Sequence, residues 1–111
     1  MELISWGDFE KVEIRVGTVL TAEPFPKARN LAYKLTVDFG PLGVRQTSAQ
    51  ITKRYDPAHL VGRQVLAVTN FPAKKIAGFK SEVLVLGAVP GDGDVVLVNV
   101  DEKVPDGVRI L

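Results

Sequence analysis

Between Tyr33 and Phe39 the chain alternates without a break: Tyr33, Leu35, Val37 and Phe39 are apolar, and Lys34, Thr36 and Asp38 are polar. A period of two is the mark of a strand with one buried face. Shorter apolar runs of the same kind recur along the chain, each bounded by Gly or Pro. That leaves little room for helices and favours many short strands.

Ser5 followed by Asp8 reads as a helix N-cap with an acidic third position, and Ile4 and Phe9 stand where a hydrophobic staple would close it. A short helix is expected from about Trp6 to Lys11. Val12, Ile14 and Val16 then alternate with Glu13 and Arg15 in a first strand. The apolar phase changes past Gly17, which suggests a bulge there that bends the strand. After the Tyr33–Phe39 strand, Gly40, Pro41 and Gly43 make a turn, and a polar third strand runs from about Val44 to Ile51. Asp56-Pro57 supplies an N-cap and a proline at the first helical position, with Gly62 as the stop. One or two helical turns therefore separate the third strand from the fourth. Gln64 to Phe71 and Glu82 to Gly87 are the fourth and fifth strands. Five strands with a short helix between the third and fourth is the order of an all-β, five-stranded Greek-key OB-fold barrel. At 111 residues the chain is expected to be one domain, 1–111, in which residues 1–11 and about 90–111 extend the barrel.

The sixth strand, Val95 to Val100, is apolar on both parities. A barrel strand needs only one apolar face, and a valine stripe left in water is a sticky edge. Trp6 and Phe9 in the opening helix add further bulk. The sequence therefore points to a homodimer interface built from Trp6, Phe9, Val96, Val98, Val100 and Val104. The alternative is that both extensions pack on each other within one chain.

There is no cysteine, which excludes disulfides and thiolate metal sites. The N-terminus lacks the basic and apolar regions of a signal peptide. No apolar run approaches the ~20 residues a helical membrane span needs. A soluble cytoplasmic protein is expected. Residues 1–80 carry 12 Lys/Arg against 7 Asp/Glu, whereas residues 81–111 carry 2 against 6. A basic body suits an anionic partner, although the imbalance is small.

Asn70 to Gly87 holds the most distinctive chemistry. Phe71, Pro72, Ile76 and Phe79 are candidates for an apolar peptide-binding pocket, with Lys74, Lys75 and Lys80 as a charged rim. The other reading of Phe71 and Phe79 is core packing. Aromatic faces beside ammonium groups also suit a stacked base with a phosphate next to it. For that use Lys34 and Arg45, with Ser48, Gln50, Asn70 and Ser81, can contact RNA backbone and base edges. Catalysis finds little support. His59, the only histidine, lies in the short DPAHLVG helix with no second metal ligand. Ser48 and Ser81 have no evident base, and Asp92 and Asp94 read as a hairpin turn. Glu10 and Glu13 read as solvated charges. No cofactor is expected, and a binding module is favoured over an enzyme.

DFEKVEIRVG at residues 8–17 resembles the opening block of the tRNA-binding domain family, roughly D-F-x-K-x-D-I-R-V-G, with Lys11, Ile14, Arg15, Val16 and Gly17 in place. Asn70, Lys75, Gly78 and Ser81 stand in a later block that reads roughly N-L-x-P-x-K-x-x-G-x-x-S. The chain departs from the tRNA-binding members at Ala77, at Val83-Leu84, at Lys27 to Leu31 and at Thr47 to Gln50. These variants are similar to the branch of the family associated with protein secretion. The resemblance implies an OB-fold homodimer. It implies a chaperone for unfolded or precursor polypeptides that also meets the ATPase of the Sec translocase. Structure-specific tRNA binding on the same face is the alternative.

Overall fold

The computed structural model describes residues 1–111. Helix α1 spans Trp6–Glu10. Its capping box is complete: the Asp8 N–H donates to Ser5 Oγ at 3.0 Å, and the Ser5 N–H donates to Asp8 Oδ2 at 3.1 Å. The staple is not closed over Ile4, which stays 69% exposed. Strands β1 (Ile14–Pro24), β2 (Tyr33–Asp38) and β3 (Val44–Ala49) follow, with a 3-10 turn at Gly40–Leu42 between the last two. Helix α2 is Pro57–Leu60, capped by Asp56 as its DP motif requires. The remaining strands are β4 (Gln64–Val68), β5 (Lys74–Ile76), β6 (Phe79–Ser81), β7 (Leu84–Val85), β8 (Gly87–Gly91), β9 (Asp94–Leu97) and β10 (Arg109–Ile110). No helix is long and apolar enough to cross a membrane.

The main sheet runs β3-β2-β1-β4-β7, with β10 also on β1, and every pairing is antiparallel. β1 is long enough to hold β4 along residues 14–18 and β2 along residues 18–24. It therefore curls the sheet into an OB-fold barrel. α2 lies against β1, where Gly62 N–H donates to the Val19 carbonyl at 2.8 Å.

The bend is not where the glycine suggested. The register of β1 on β2 shifts between Val19 and Thr21, so the bulged residue is Leu20, 43% exposed. Gly17 serves packing instead. A Cβ there would stand 2.6 Å from Val37 Cγ1 and 2.8 Å from the Phe39 ring. The phase change in the apolar pattern marks the residue where pairing changes partner, from β4 to β2.

The other differences lie at strand ends and in the second half. β1 begins at Ile14, β3 stops at Ala49 and β4 at Val68, and only Leu84–Val85 of the fifth strand is laddered. The long connection contains a β5–β6 hairpin, turned by Ala77 (φ 48°) and Gly78 (φ 80°). Two consecutive positive φ angles are those of a type I′ turn, and glycine is needed at only one of them. The expected sixth strand is the shorter β9, paired with β8. Val95 and Leu97 pack against the barrel core, which accounts for one parity of the valine run.

The core is built from Val19, Leu35, Val37, Phe39, Leu60, Val65 and Ala67, with Ile51 and Val83 at its edge. No ladder joins β3 to β7, the two ends of the sheet. Side chains stitch the upper part of this seam. Thr47 Oγ1 donates to the Val83 carbonyl at 2.7 Å, and the Ser48 N–H donates to Ser81 Oγ at 3.0 Å. The Glu82 N–H donates to the Gln46 carbonyl, and the Gln46 N–H donates back to Glu82 Oε1 at 3.0 Å. A buried hydroxyl such as that of Thr47 is stable only because it is bonded in this way.

Candidate functional site

Below those stitches the seam opens into a groove of about 710 Å³. One side is the end of β3 and the two residues after it, Ser48 to Ile51, and the other is β7 and its continuation to Gly87. Phe71, Pro72 and the β5 residues Lys74 and Ile76 form a third wall, and Val89 and Val95 close the far end. Ten of the 17 lining residues are hydrophobic, so the interior suits apolar side chains better than phosphates. Phe71 is 55% exposed and Leu84 50% exposed, which places accessible apolar surface at the rim.

The β5–β6 register sorts the cationic hairpin into two faces. Lys74, Ile76, Phe79 and Ser81 share one face, and Lys75 and Lys80, directly opposite each other, share the other. Lys74, Ile76 and Ser81 line the groove, whereas Phe79 does not. Its ring packs edge-to-face on Phe25 with centroids 5.3 Å apart. The Lys34 ammonium lies 4.8 Å from the Phe25 ring centre and 5.2 Å from that of Phe79. Phe79 thus pins the hairpin across β2, and Lys34 holds a cation–π contact with both rings. Lys34, Lys74, Lys75 and Lys80 form no ion pair.

The residues considered for RNA are only partly brought together. Lys34 and Ser48 are register partners on the outer face of β2 and β3, and Gln50 continues that parity. Arg45 is the partner of buried Val37 and so belongs to the opposite face. The Asn70 amide is already engaged: its Nδ2 donates to the Lys11 carbonyl at 2.6 Å, and its Oδ1 accepts the Glu13 N–H at 3.0 Å. These bonds fasten the end of β4 to the start of β1. Ser81 is buried among the seam hydrogen bonds.

The groups set aside as chemically silent lie apart from the groove. His59 is exposed in the last turn of α2. Glu13 is bonded by Arg15, Nη2 to Oε1 at 2.8 Å, and this hydrogen bond lowers its carboxyl pKa. Asp94 begins β9 and is gripped by Arg54, with Nη2 2.8 Å from Oδ2, which lowers its pKa likewise. Of the residues expected to build a dimer contact, Trp6 is 85% exposed and Val98 40% exposed. Phe9, Val96, Val100 and Val104 are half-buried.

Two contributors were not read from the sequence. Leu84 to Leu86 enter the groove along β7 and just past it, and the VLVL run, apolar on both parities, was their only signal; Val89 enters from β8. Phe25 lies too far from Phe79 in the chain for any local pattern to join them.

Residues 14–109 match the family model described as "Putative tRNA binding domain". The chain is 53% identical to the chaperone CsaA of Bacillus anthracis, with a TM-score of 0.96, covering 99% of this chain and 100% of that one. It is 43% identical to CsaA of Picrophilus torridus, with a TM-score of 0.90, covering 98% and 100%. It is also 39% identical over 109 residues to methionine–tRNA ligase of Porphyromonas gingivalis, covering 98% of this chain. The chain spans only 16% of that ligase, so the likeness is to one small domain of it. These matches are to a binding domain and not to a catalytic one. The chain belongs to the tRNA-binding domain family, and its fold is that of the CsaA chaperone structures.

Proposed function

We propose that this chain is a non-catalytic, homodimeric chaperone that takes unfolded or precursor polypeptides into the seam groove. The observation that carries this reading is the groove itself: an apolar channel with exposed Phe71 and Leu84 at its rim and unpaired Lys74 beside it. The kinship with CsaA chaperones supports the chaperone part of this reading; the proposal further takes its setting to be cytoplasmic protein export, with the Sec translocase ATPase as a second partner. Phe71, Pro72, Ile76 and Lys74 contact the client, and Phe79 acts by holding the hairpin wall in place.

A second reading is favoured by a separate observation. Lys34, Lys75 and Lys80 are unpaired cations at the outer β2–β3 face and on the solvent side of the hairpin, with Ser48 and Gln50 alongside. That surface suits a phosphodiester backbone, and family kinship supports tRNA as its ligand.

Ile76→Glu separates the two. It places a charge in the apolar wall and should weaken binding of a reduced, unfolded polypeptide by about tenfold or more, while leaving tRNA binding within about twofold. Lys34→Ala with Lys75→Ala and Lys80→Ala should do the reverse. Polypeptide affinity unchanged in Ile76→Glu would refute the groove as the client site.

A further inference from the structure

The groove is bounded by the two ends of the sheet, and each leaves backbone groups unpaired, one just past the end of β3 and the other on β7. Along β3, alternate residues turn their backbone groups away from β2. Gln46 exchanges both of its groups with Glu82, and Ser48 donates to Ser81. Gln50 is next on that edge, and its N–H and C=O make no hydrogen bond at all. The residue borders the groove. Across the gap, the Leu86 N–H donates to the Leu66 carbonyl at 2.8 Å. Leu84 is the register partner of Val68. Strand alternation therefore turns the backbone groups of Val85 away from β4, and no strand is laddered there.

We infer that the client binds as an added strand: an extended polypeptide that pairs its backbone with the free β3 edge at Gln50 and drops alternate apolar side chains into the groove. This rests on the polypeptide reading above and specifies its mode. Strand addition takes affinity from main-chain hydrogen bonds and selectivity from every second side chain. It suits a protein that must accept many sequences provided they are unfolded, since a helix has no free main-chain groups to offer. Charge supplies the polarity of the site. Lys74 stands unpaired at one end of the groove, and unpaired Lys53 lies in the polar pocket that shares Gln50 with it. The favoured occupant alternates apolar residues and carries a carboxylate at a flank.

The test is an N-methyl scan of one labelled ten-residue peptide that alternates Val or Leu with Ser and ends in Glu, titrated with the intact protein. N-methylation removes a single backbone donor. Methylation at one central position, the residue whose N–H meets the Gln50 carbonyl, should weaken binding by about tenfold, and methylation at its two neighbours by less than about threefold. On the protein, Gln50→Pro deletes the edge N–H and should weaken the same peptide, whereas Gln50→Ala keeps the N–H and should not. If the unmethylated peptide binds but every position responds alike, strand addition is wrong and the polypeptide reading stands. If the unmethylated peptide does not bind, both fall together.

Discussion

Phe39→Ala should cost about 3–5 kcal/mol of folding stability, the largest effect expected of any single truncation in this chain. Phe39 is 0% exposed and is the largest of the fully buried side chains. Its ring lies over Gly17, close enough that a Cβ there would meet Cδ1 and Cε1 at 2.8 Å. It thus joins the end of β2 to the stretch of β1 that changes partner from β4 to β2. Truncation leaves a cavity at that junction, and the bent strand has little freedom to collapse into it. The same geometry gives the substitution an internal control. Gly17→Ala should destabilise the wild-type chain by about 1–3 kcal/mol through overpacking, and should cost less in the Phe39→Ala background, where only Val37 Cγ1, 2.6 Å from the added Cβ, still has to give way. Urea unfolding of the two single variants and the double variant measures the cycle. Additive losses would show that the ring and the glycine do not share this space.

Trp6→Ala should split the proposed homodimer while leaving the folded protomer as stable as before. Trp6 is 85% exposed, and the arm leading to it carries Leu3 at 87% and Ile4 at 69% exposure. A tryptophan so poorly covered by its own chain contributes little to that chain's stability. It is a suitable anchor for a second copy, and such anchors cost about 2 kcal/mol or more on truncation, roughly thirtyfold in affinity. Val98→Glu, at a half-covered position on the opposite extension, should have the same effect through an unpaired charge. Sedimentation velocity at micromolar protein concentration reads both. A wild-type chain that sediments as a monomer would end the proposal. So would a Trp6→Ala variant that loses its fold, since Trp6 would then belong to the protomer.

The fold was largely legible because its signals are local. The Tyr33–Phe39 alternation, the Ser5–Asp8 capping box and the Asp56-Pro57 helix start all depend on residues a few positions apart, and each stands where the pattern put it. The bulge was misplaced because a glycine beside a phase change has two physical causes, bending and close packing. Only the position of Phe39 decides between them. The β5–β6 hairpin went unread because Ala77 occupies a positive-φ position where sequence rules look for Gly, Asn or Asp. The candidate site was half legible. Phe71, Pro72, Lys74 and Ile76 form one wall of the groove, as their composition suggested. Phe79, in the same segment, is drawn off by Phe25 and Lys34. Arg45 differs from Lys34 by a strand parity that depends on the register of β2 on β3. The groove itself is an absence of pairing between β3 and β7, and a missing ladder leaves no mark in a sequence.

One measurement tests the central claim most directly: equilibrium binding of a reduced, unfolded polypeptide and of tRNA to the same protein as salt rises from about 50 to 200 mM. Binding that depends on Lys34, Lys75 and Lys80 against phosphates should weaken roughly 20- to 40-fold over that range. Binding in an apolar groove should change only a few-fold. The chaperone reading predicts that the unfolded polypeptide binds with a nearly flat salt response and remains bound at 200 mM salt. A polypeptide affinity that collapses with the tRNA slope, or tRNA as the only ligand retained, would contradict it.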